Sequence, residues 1–237
     1  MISDIHSNLE AFDAAMESIA CDGVDGVFCA GDIVGYGADP SECIKKARRF
    51  SVFTVAGNHD FASAGKMGTS DFNDTARAAI LWTQKVLTGD EIGFLSGLET
   101  VYRNEDFILA HGTLFESERF HYMFDKDSAR DTFRLMDRDI CFVGHTHVPG
   151  MFIENGESLD YAYGKKIKFG KDEKVVVNVG SVGQPRDGDA RLSYAVYDSR
   201  NRSVEIKRRP YEVNKAQEKI LKAGLPASLA YRLSEGV

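Results

Sequence analysis

Five of the six histidines in this chain, His6, His59, His111, His145 and His147, stand where an apolar run gives way to polar residues or glycine. The runs end in Asp4-Ile5-His6, Gly31-Asp32, Gly57-Asn58-His59-Asp60, His111-Gly112 and Gly144-His145-Thr146-His147. Another carries Asn178 just before Gly180-Ser181. Imidazole nitrogens with carboxylate and amide oxygens, and no thiolate, suit Mn, Fe, Zn, Co or Ni and disfavour a structural zinc site of the cysteine type. The pairs Asp4/His6 and His145/His147 are spaced i, i+2, so extended backbone would turn both members to one side. With Asp32, Asn58 and His111 they make seven candidate ligands. Seven exceed what one transition metal takes and suit two ions about 3.5–4 Å apart sharing a carboxylate. Asn58-His59-Asp60 reads equally as ligands, acid–base groups or turn residues; the triplet alone does not choose.

Such side chains must be carried to one place, and in open α/β sheets that place lies beyond the carboxyl ends of the strands. Buried strands are expected in "GVFCAGD", "SVFTVAGNHD", "DFILAHG", "DICFVGHTH", "VVVNVGS", "SYAVYD" and "SVEIKR". Leu9, Phe12, Met16 and Ile19 share a helical face, with Ser7 and Glu10 spaced as a capping box. Asp39-Pro40-Ser41-Glu42 opens a helix to Arg49. Further helices are predicted over 71–87, 90–98, 127–136, 215–221 and 227–233. "MIS" supplies only a stub of strand before Asp4, which leads us to expect that residues precede Met1. Strand–helix alternation followed by a strand-rich meander predicts an α/β fold, a four-layer αββα sandwich of two mixed sheets flanked by helices. No linker or repeat divides the chain, so one domain over 1–237 is expected, finished by C-terminal helices within 213–237.

The bulk numbers narrow the function. With 237 residues, 43% hydrophobic and 27% charged, the composition is that of an ordinary globular domain. A net charge of -7 argues against a nucleic-acid or acidic-membrane surface. Cys21, Cys29, Cys43 and Cys141 form no C-x-x-C pair; Cys29 and Cys141 lie in apolar runs, which predicts reduced core thiols and a cytoplasmic location. No apolar run approaches the ~18 residues of a membrane span. A homo-oligomer is left open.

Taken in order, "DIH", "GDIVGYG", "GNHD", "HG" and "GHTH" resemble the motif series of the calcineurin-like metallophosphoesterases. The later "NVGSVGQPRDGDARLSYAVYD" is similar to the bacterial and archaeal branch near YfcE-like and diadenosine-tetraphosphatase-like proteins. The resemblance spans residues 2 to about 208. It implies that Asp4, His6 and His147 hold one divalent ion, manganese foremost, that Asn58, His111 and His145 hold a second, and that Asp32 bridges. It implies further that His59 contacts the scissile phosphate instead of a metal; Asp60 is read either as the partner orienting it or as a residue holding the loop backbone. A hydroxide bridging the ions would attack phosphorus in line. The implied substrate is a phosphodiester, nucleotide or other small phosphoester. A diadenosine polyphosphate and a Ser/Thr-type phosphoprotein are the enzymatic alternatives. A non-catalytic scaffold on the same fold, as in retromer, is the alternative of another class, and a nuclease is disfavoured by the acidic charge.

Three residues outside the series are candidates for substrate contact. Arg186, in a Gly/Pro-rich turn, could grip a phosphate. Asn178 could face the site or tie a loop. Tyr36 could stack on a base, cover the pocket or pack in the core. His121 reads as a satisfied surface histidine, and Lys207-Arg208-Arg209 as a solvated strand end. The segment 114–137 is expected to shape the substrate side, although Phe115, Phe120, Tyr122 and Phe124 could equally be packing.

Overall fold

A computed structural model describes residues 1–51, 53–156, 158–162 and 166–237. Its largest sheet has six strands in the order β3-β4-β5-β9-β6-β7. These are β3 (Val101–Arg103), β4 (Ile108–Ala110), β5 (Ile140–Val143), β6 (Gly150–Glu154), β7 (Leu159–Ala162) and β9 (Lys174–Asn178). The central β4, β5 and β9 run parallel; β3 pairs antiparallel at one edge, and β6 and then β7 continue the sheet antiparallel on the other side. Facing it, β1 (Phe28–Cys29) pairs in parallel with β2 (Phe53–Thr54), and β10 (Leu192–Asp198) pairs with β11 (Ser203–Arg209), which pairs with β8 (Lys166–Lys168).

The N-terminal stub joins these two smaller sheets. Met1 exchanges both backbone hydrogen bonds with Ala195 of β10, while Ile2 bridges Cys29 of β1. Two residues thereby fill the place of a strand.

Strand alternation divides the core. Leu109, Phe142 and Val177 point between the sheets, onto Ala30, Val55, Ala195 and Val204. Their neighbours Ile108, Cys141 and Val176 point outward onto Ala129 and Phe133 of α6 (Lys126–Leu135). On the far side, α1 (Leu9–Asp22) and α2 (Pro40–Phe50) lay Phe12, Ala15, Cys43 and Ile44 on Ile2, Cys29, Leu192 and Tyr194. Helix, sheet, sheet, helix is the sandwich that the element order predicts.

The remaining helices are α3 (Asn58–Ser63), α4 (Asp74–Val86), α5 (Gly89–Ser96), α7 (Val213–Lys222) and α8 (Ala227–Glu235). The last two pack with Tyr36 and with Ala76 and Ala79 of α4. Lys215 and Lys219 of α7 reach back to Glu10, and Lys219 also to Asp39.

Several local expectations are corrected. The run "SVFTVAGNHD" is not one strand: β2 holds only Phe53 and Thr54, and Asn58 opens α3. Val52, within that run, lies outside the described residues. The capping box at α1 does not form, because Ser7 has φ 54 and Asn8 caps instead, accepting from Ala11 N–H at 3.1 Å. Glu10 is drawn to Lys219 at 2.7 Å. The strands β3, β6, β7 and β8 were not expected; β3, β7 and β8 are short edge strands, and β6, Gly150–Glu154 between β9 and β7, is short and begins at a glycine, so all four carry a weak pattern signal.

Candidate metal centre

The parallel strands and the Ile2 bridge deliver their carboxyl ends to one side of the sandwich. There Asp4 and His6 follow the stub, Asp32 follows β1, Asn58 opens α3, His111 follows β4, and His145 and His147 follow β5. The i, i+2 pairs do not sit on extended backbone. Asp4, His6, Asp32, His145 and His147 have φ of 53, 49, 54, 69 and 61°, left-handed values that cost roughly 1–3 kcal/mol each and cluster at functional sites. The side chains converge because tight loops hook them inward.

Backbone donors anchor the two carboxylates. His145 N–H donates to Asp4 Oδ2 at 3.0 Å, and His59 N–H donates to Asp32 Oδ1 at 2.9 Å. The other oxygen of each turns to imidazoles. Asp4 Oδ1 lies 3.2 Å from His147 Nε2 and 3.7 Å from His6 Nε2. Asp32 Oδ2 lies 3.3 Å from His111 Nε2 and 3.6 Å from His6 Nε2. Gly57 leaves room for this arrangement, since a Cβ there would overlap the Asp32 carboxylate. Gly57→Ala is expected to weaken metal binding at least about tenfold, whereas Gly68→Ala, which meets open space, leaves it unchanged in the same titration.

The imidazole tautomers decide whether the donor set fits a cation. Nδ1 of His6, His111 and His147 donates to the carbonyls of Val34, Ala30 and Gln184 at 3.0, 2.7 and 2.5 Å. A carbonyl only accepts, so in the neutral rings Nε2 is a bare lone pair. His6 Nε2 and His147 Nε2 nevertheless face each other at 3.0 Å, and His111 Nε2 faces His145 Nδ1 at 3.1 Å. Lone pairs packed against lone pairs and carboxylates require protons or metal ions among them. Asn58 Oδ1 is buried without a hydrogen-bond partner. Three compact groups have this character: Asp4-His6-His147, Asp32-His111-His145 and His6-Asp32-His59. The residues fit divalent ions of the imidazole-and-oxygen class.

Charge follows the same logic. Burial would raise Asp4 and Asp32, but the histidines around them hold both well below the usual carboxylate range. Burial would lower His111, yet the charge of Asp32 and its hydrogen bond lift it to about 9. His111 therefore stabilises the metal-free fold fully below its ordinary value of 6.5, and that contribution is lost as pH rises through about 9. At pH 8 its proton must leave when a metal arrives. We expect manganese uptake at pH 8 to release about one proton per protein, read by calorimetry in buffers of different ionisation enthalpy; no release would contradict the assignment of His111.

His59 is buried, with its ring edge-on to His6 at 4.9 Å and tilted against Tyr36 at 4.4 Å. Burial, with the neighbouring His6, His147 and Arg186, lowers it to about 3 against the pull of Asp32, so it is neutral at pH 7. Its Nδ1 has no hydrogen-bond partner. The expected orienting contact from Asp60 is not made. Asp60 accepts from Val34 N–H at 3.1 Å and Gly57 N–H at 3.0 Å, tying two site loops together. Burial and the charge of Asp32 raise it to about 7.

Asn178 likewise braces a loop and does not present its amide to substrate. Its Nδ2 donates to the Gly144 carbonyl at 2.6 Å and Thr146 Oγ1 at 2.8 Å, and Oδ1 accepts from Gly180 N–H at 2.9 Å. Tyr36 both packs under the C-terminal helices and covers the site, its ring 4.6 Å from that of His6. Arg186 lies with its guanidinium 5.5 Å from the Tyr36 ring and held by Gln184 Oε1 at 2.6 Å.

One contributor was not found in the sequence, and another was named there without a settled role. Gln184 acts through its carbonyl on His147, as Val34 and Ala30 do on His6 and His111, and backbone groups carry no residue-type signal. Tyr122 stacks on His145 at 3.8 Å, and its only signal was an aromatic run beside His121.

Residues 1–202 match the calcineurin-like phosphoesterase superfamily domain. An uncharacterized protein of Methanocaldococcus jannaschii is 40% identical over 240 residues, covering 100% of this chain and 97% of its own length. The crystal structure of a metallophosphoesterase from Sphaerobacter thermophilus superposes with TM-score 0.89 at 35% identity, covering 100% of this chain and 97% of that one. A hypothetical protein from Pyrococcus horikoshii has the same fold, with TM-score 0.80, 18% identity and coverage of 100% and 97%. Sequence match, fold and a histidine–aspartate cluster at the strand ends agree: the chain belongs to the calcineurin-like phosphoesterase superfamily.

Proposed function

We propose that this protein is a metal-dependent phosphoesterase that hydrolyses a P–O bond in a phosphodiester, nucleotide or other small phosphoester. The observation that carries this reading is the set of imidazole lone pairs, locked by backbone carbonyls and aimed at two buried carboxylates. Asp4, His6 and His147 would hold one divalent ion and Asn58, His111 and His145 a second, with Asp32 between them; manganese heads the candidates, ahead of Fe, Zn, Co and Ni. The chemistry such ions supply when bound is polarisation of a phosphoryl oxygen and ionisation of water at neutral pH.

The chain's own residues do the rest. His59, neutral at pH 7 and facing the cluster, donates a hydrogen bond to a phosphoryl or leaving oxygen as charge builds there. Arg186, beside Tyr36, attracts the anionic ester. Tyr36 shields one flank from water. Asp60 and Asn178 keep the loops in register.

A panel of bis-p-nitrophenyl phosphate, p-nitrophenyl phosphate, a dinucleoside polyphosphate and a phosphopeptide, each with added manganese, tests the reading and ranks the diesterase, monoesterase, polyphosphate and phosphoprotein activities. No turnover on any of them, with manganese or other divalent ions, would favour a scaffold on this fold. Among the described residues no helix is long and apolar enough to cross a membrane.

A further inference from the structure

The segment following β4 leaves two large aromatic rings in the open beside the cluster. Tyr122 lies on His145 with centroids 3.8 Å apart and planes 13° from parallel, and Phe124 lies on Tyr122 at 5.1 Å and 14°. Exposure climbs along this stack, from 5% at His145 to 47% at Tyr122 and 67% at Phe124. Three nearly parallel rings thus lead from a candidate ligand out to solvent.

The shelf is held in place. Thr113 N–H donates to the His121 carbonyl at 3.1 Å, and Leu114 N–H to Thr132 Oγ1 at 3.1 Å. Phe120, two residues before Tyr122, is buried against His111 and Phe61. An exposed aromatic shelf, held by these contacts beside the candidate metal centre, suits a ligand with a planar ring at one end and a phosphate at the other.

We propose that Tyr122 and Phe124 form a stacking platform for the base of a nucleoside phosphoester, and that they set the preference of this site for nucleoside over simple alkyl groups on the non-leaving side of the ester. The platform reads a π-face and not a hydrogen-bond pattern, so it accepts purine and pyrimidine bases alike. Arg186, across the mouth beside Tyr36, meets the ester's charge. The proposal rests on the phosphoesterase reading and narrows its substrate class.

Two manganese-supported substrates test it, thymidine 5′-(p-nitrophenyl phosphate) and methyl p-nitrophenyl phosphate. They share the p-nitrophenyl leaving group and the charge, and only the first carries a nucleoside base. The kcat/KM ratio of thymidine to methyl ester should be about ten or more. Phe124→Ala should remove most of that ratio through KM, and Phe124→Trp should restore it. Phe124 is the cleaner probe, because Tyr122 also touches His145. A wild-type ratio near one, or a ratio unmoved in Phe124→Ala, overturns the proposal.

A binding arm separates this outcome from failure of the enzymatic reading. By calorimetry, AMP should bind the manganese-loaded protein about tenfold tighter than glycerol 3-phosphate, and Phe124→Ala should erase the difference. That result with neither ester hydrolysed would reject the enzyme and keep the platform. A dimer that dissociates in Phe124→Ala, with equal binding of AMP and glycerol 3-phosphate to wild type, would assign the rings to a second copy and overturn the proposal.

Discussion

His59→Ala is expected to lower kcat by about 10²–10⁴-fold while the protein keeps the metal content of the wild type. The two readouts, turnover and metal stoichiometry by elemental analysis, must be taken together. His6, Asp32 and His59 also form a group compact enough for a cation, so proximity alone does not exclude His59 from the ligands. Its surroundings argue the other way. It is wedged against the Tyr36, His6 and Phe72 rings, and its Nδ1 has no carbonyl to fix a tautomer. Three of the four candidate ligand histidines, His6, His111 and His147, each have one, whereas His145 has its ring held by Tyr122 stacking on it. A ligand histidine ordinarily has its far nitrogen held; one that must hydrogen-bond to a changing substrate does not need this. Loss of an ion in His59→Ala would refute the division of roles. Full activity in that variant would refute the role assigned to His59.

Asp32→Asn should abolish tight metal binding, with an affinity loss above about 100-fold, and should end hydrolysis with it. The substitution is nearly isosteric, and an amide Oδ1 can still accept from His59 N–H, where Asp32 Oδ1 does at 2.9 Å. What changes is the oxygen 3.3 Å from His111 Nε2 and 3.6 Å from His6 Nε2. An NH₂ there donates to the very lone pairs that an ion requires, and one negative charge is gone. The metal-free variant should fold, since its histidines need only bonds that the amide can supply. Thermal denaturation separates the effects: manganese should raise Tm in the wild type and leave Asp32→Asn unmoved. A variant stabilised by manganese to the wild-type extent would rule out Asp32 as the shared ligand.

The candidate ligands were legible in the sequence because strand ends in an α/β fold share one edge, and a run of such ends in Asp, Asn or His needs no coordinates to be noticed. The continuous apolar runs in "DICFV" and "KVVVN" also marked buried strands, but being apolar on both faces they did not say which residues turn inward; the structure points Phe142 and Val177 between the sheets and Cys141 and Val176 outward. What turned the ligands inward was not legible. Extended geometry was expected for Asp4/His6 and His145/His147, whereas left-handed φ values hook them. Such conformations are uncommon outside glycine and are imposed by contacts between loops far apart in sequence, as when Asp4 and His6 N–H donate to the Gly31 and Asp32 carbonyls.

Polar residues near the site divided only in three dimensions. Asp60 and Asn178 had the right types and positions for substrate work, and both are committed to backbone partners that bind loop to loop. Tyr122 and Phe124 looked interchangeable with Phe120 in the sequence. Only tertiary packing buries Phe120 and leaves the other two stacked and open beside His145. Residue type and spacing thus determined which atoms could bind a metal and which edge of the fold would hold them. The tertiary structure decided which nitrogen of His6, His111 and His147 carries a proton, which polar groups are already satisfied and which rings remain free. Those are properties of neighbours brought together by folding, and no single stretch of sequence contains them.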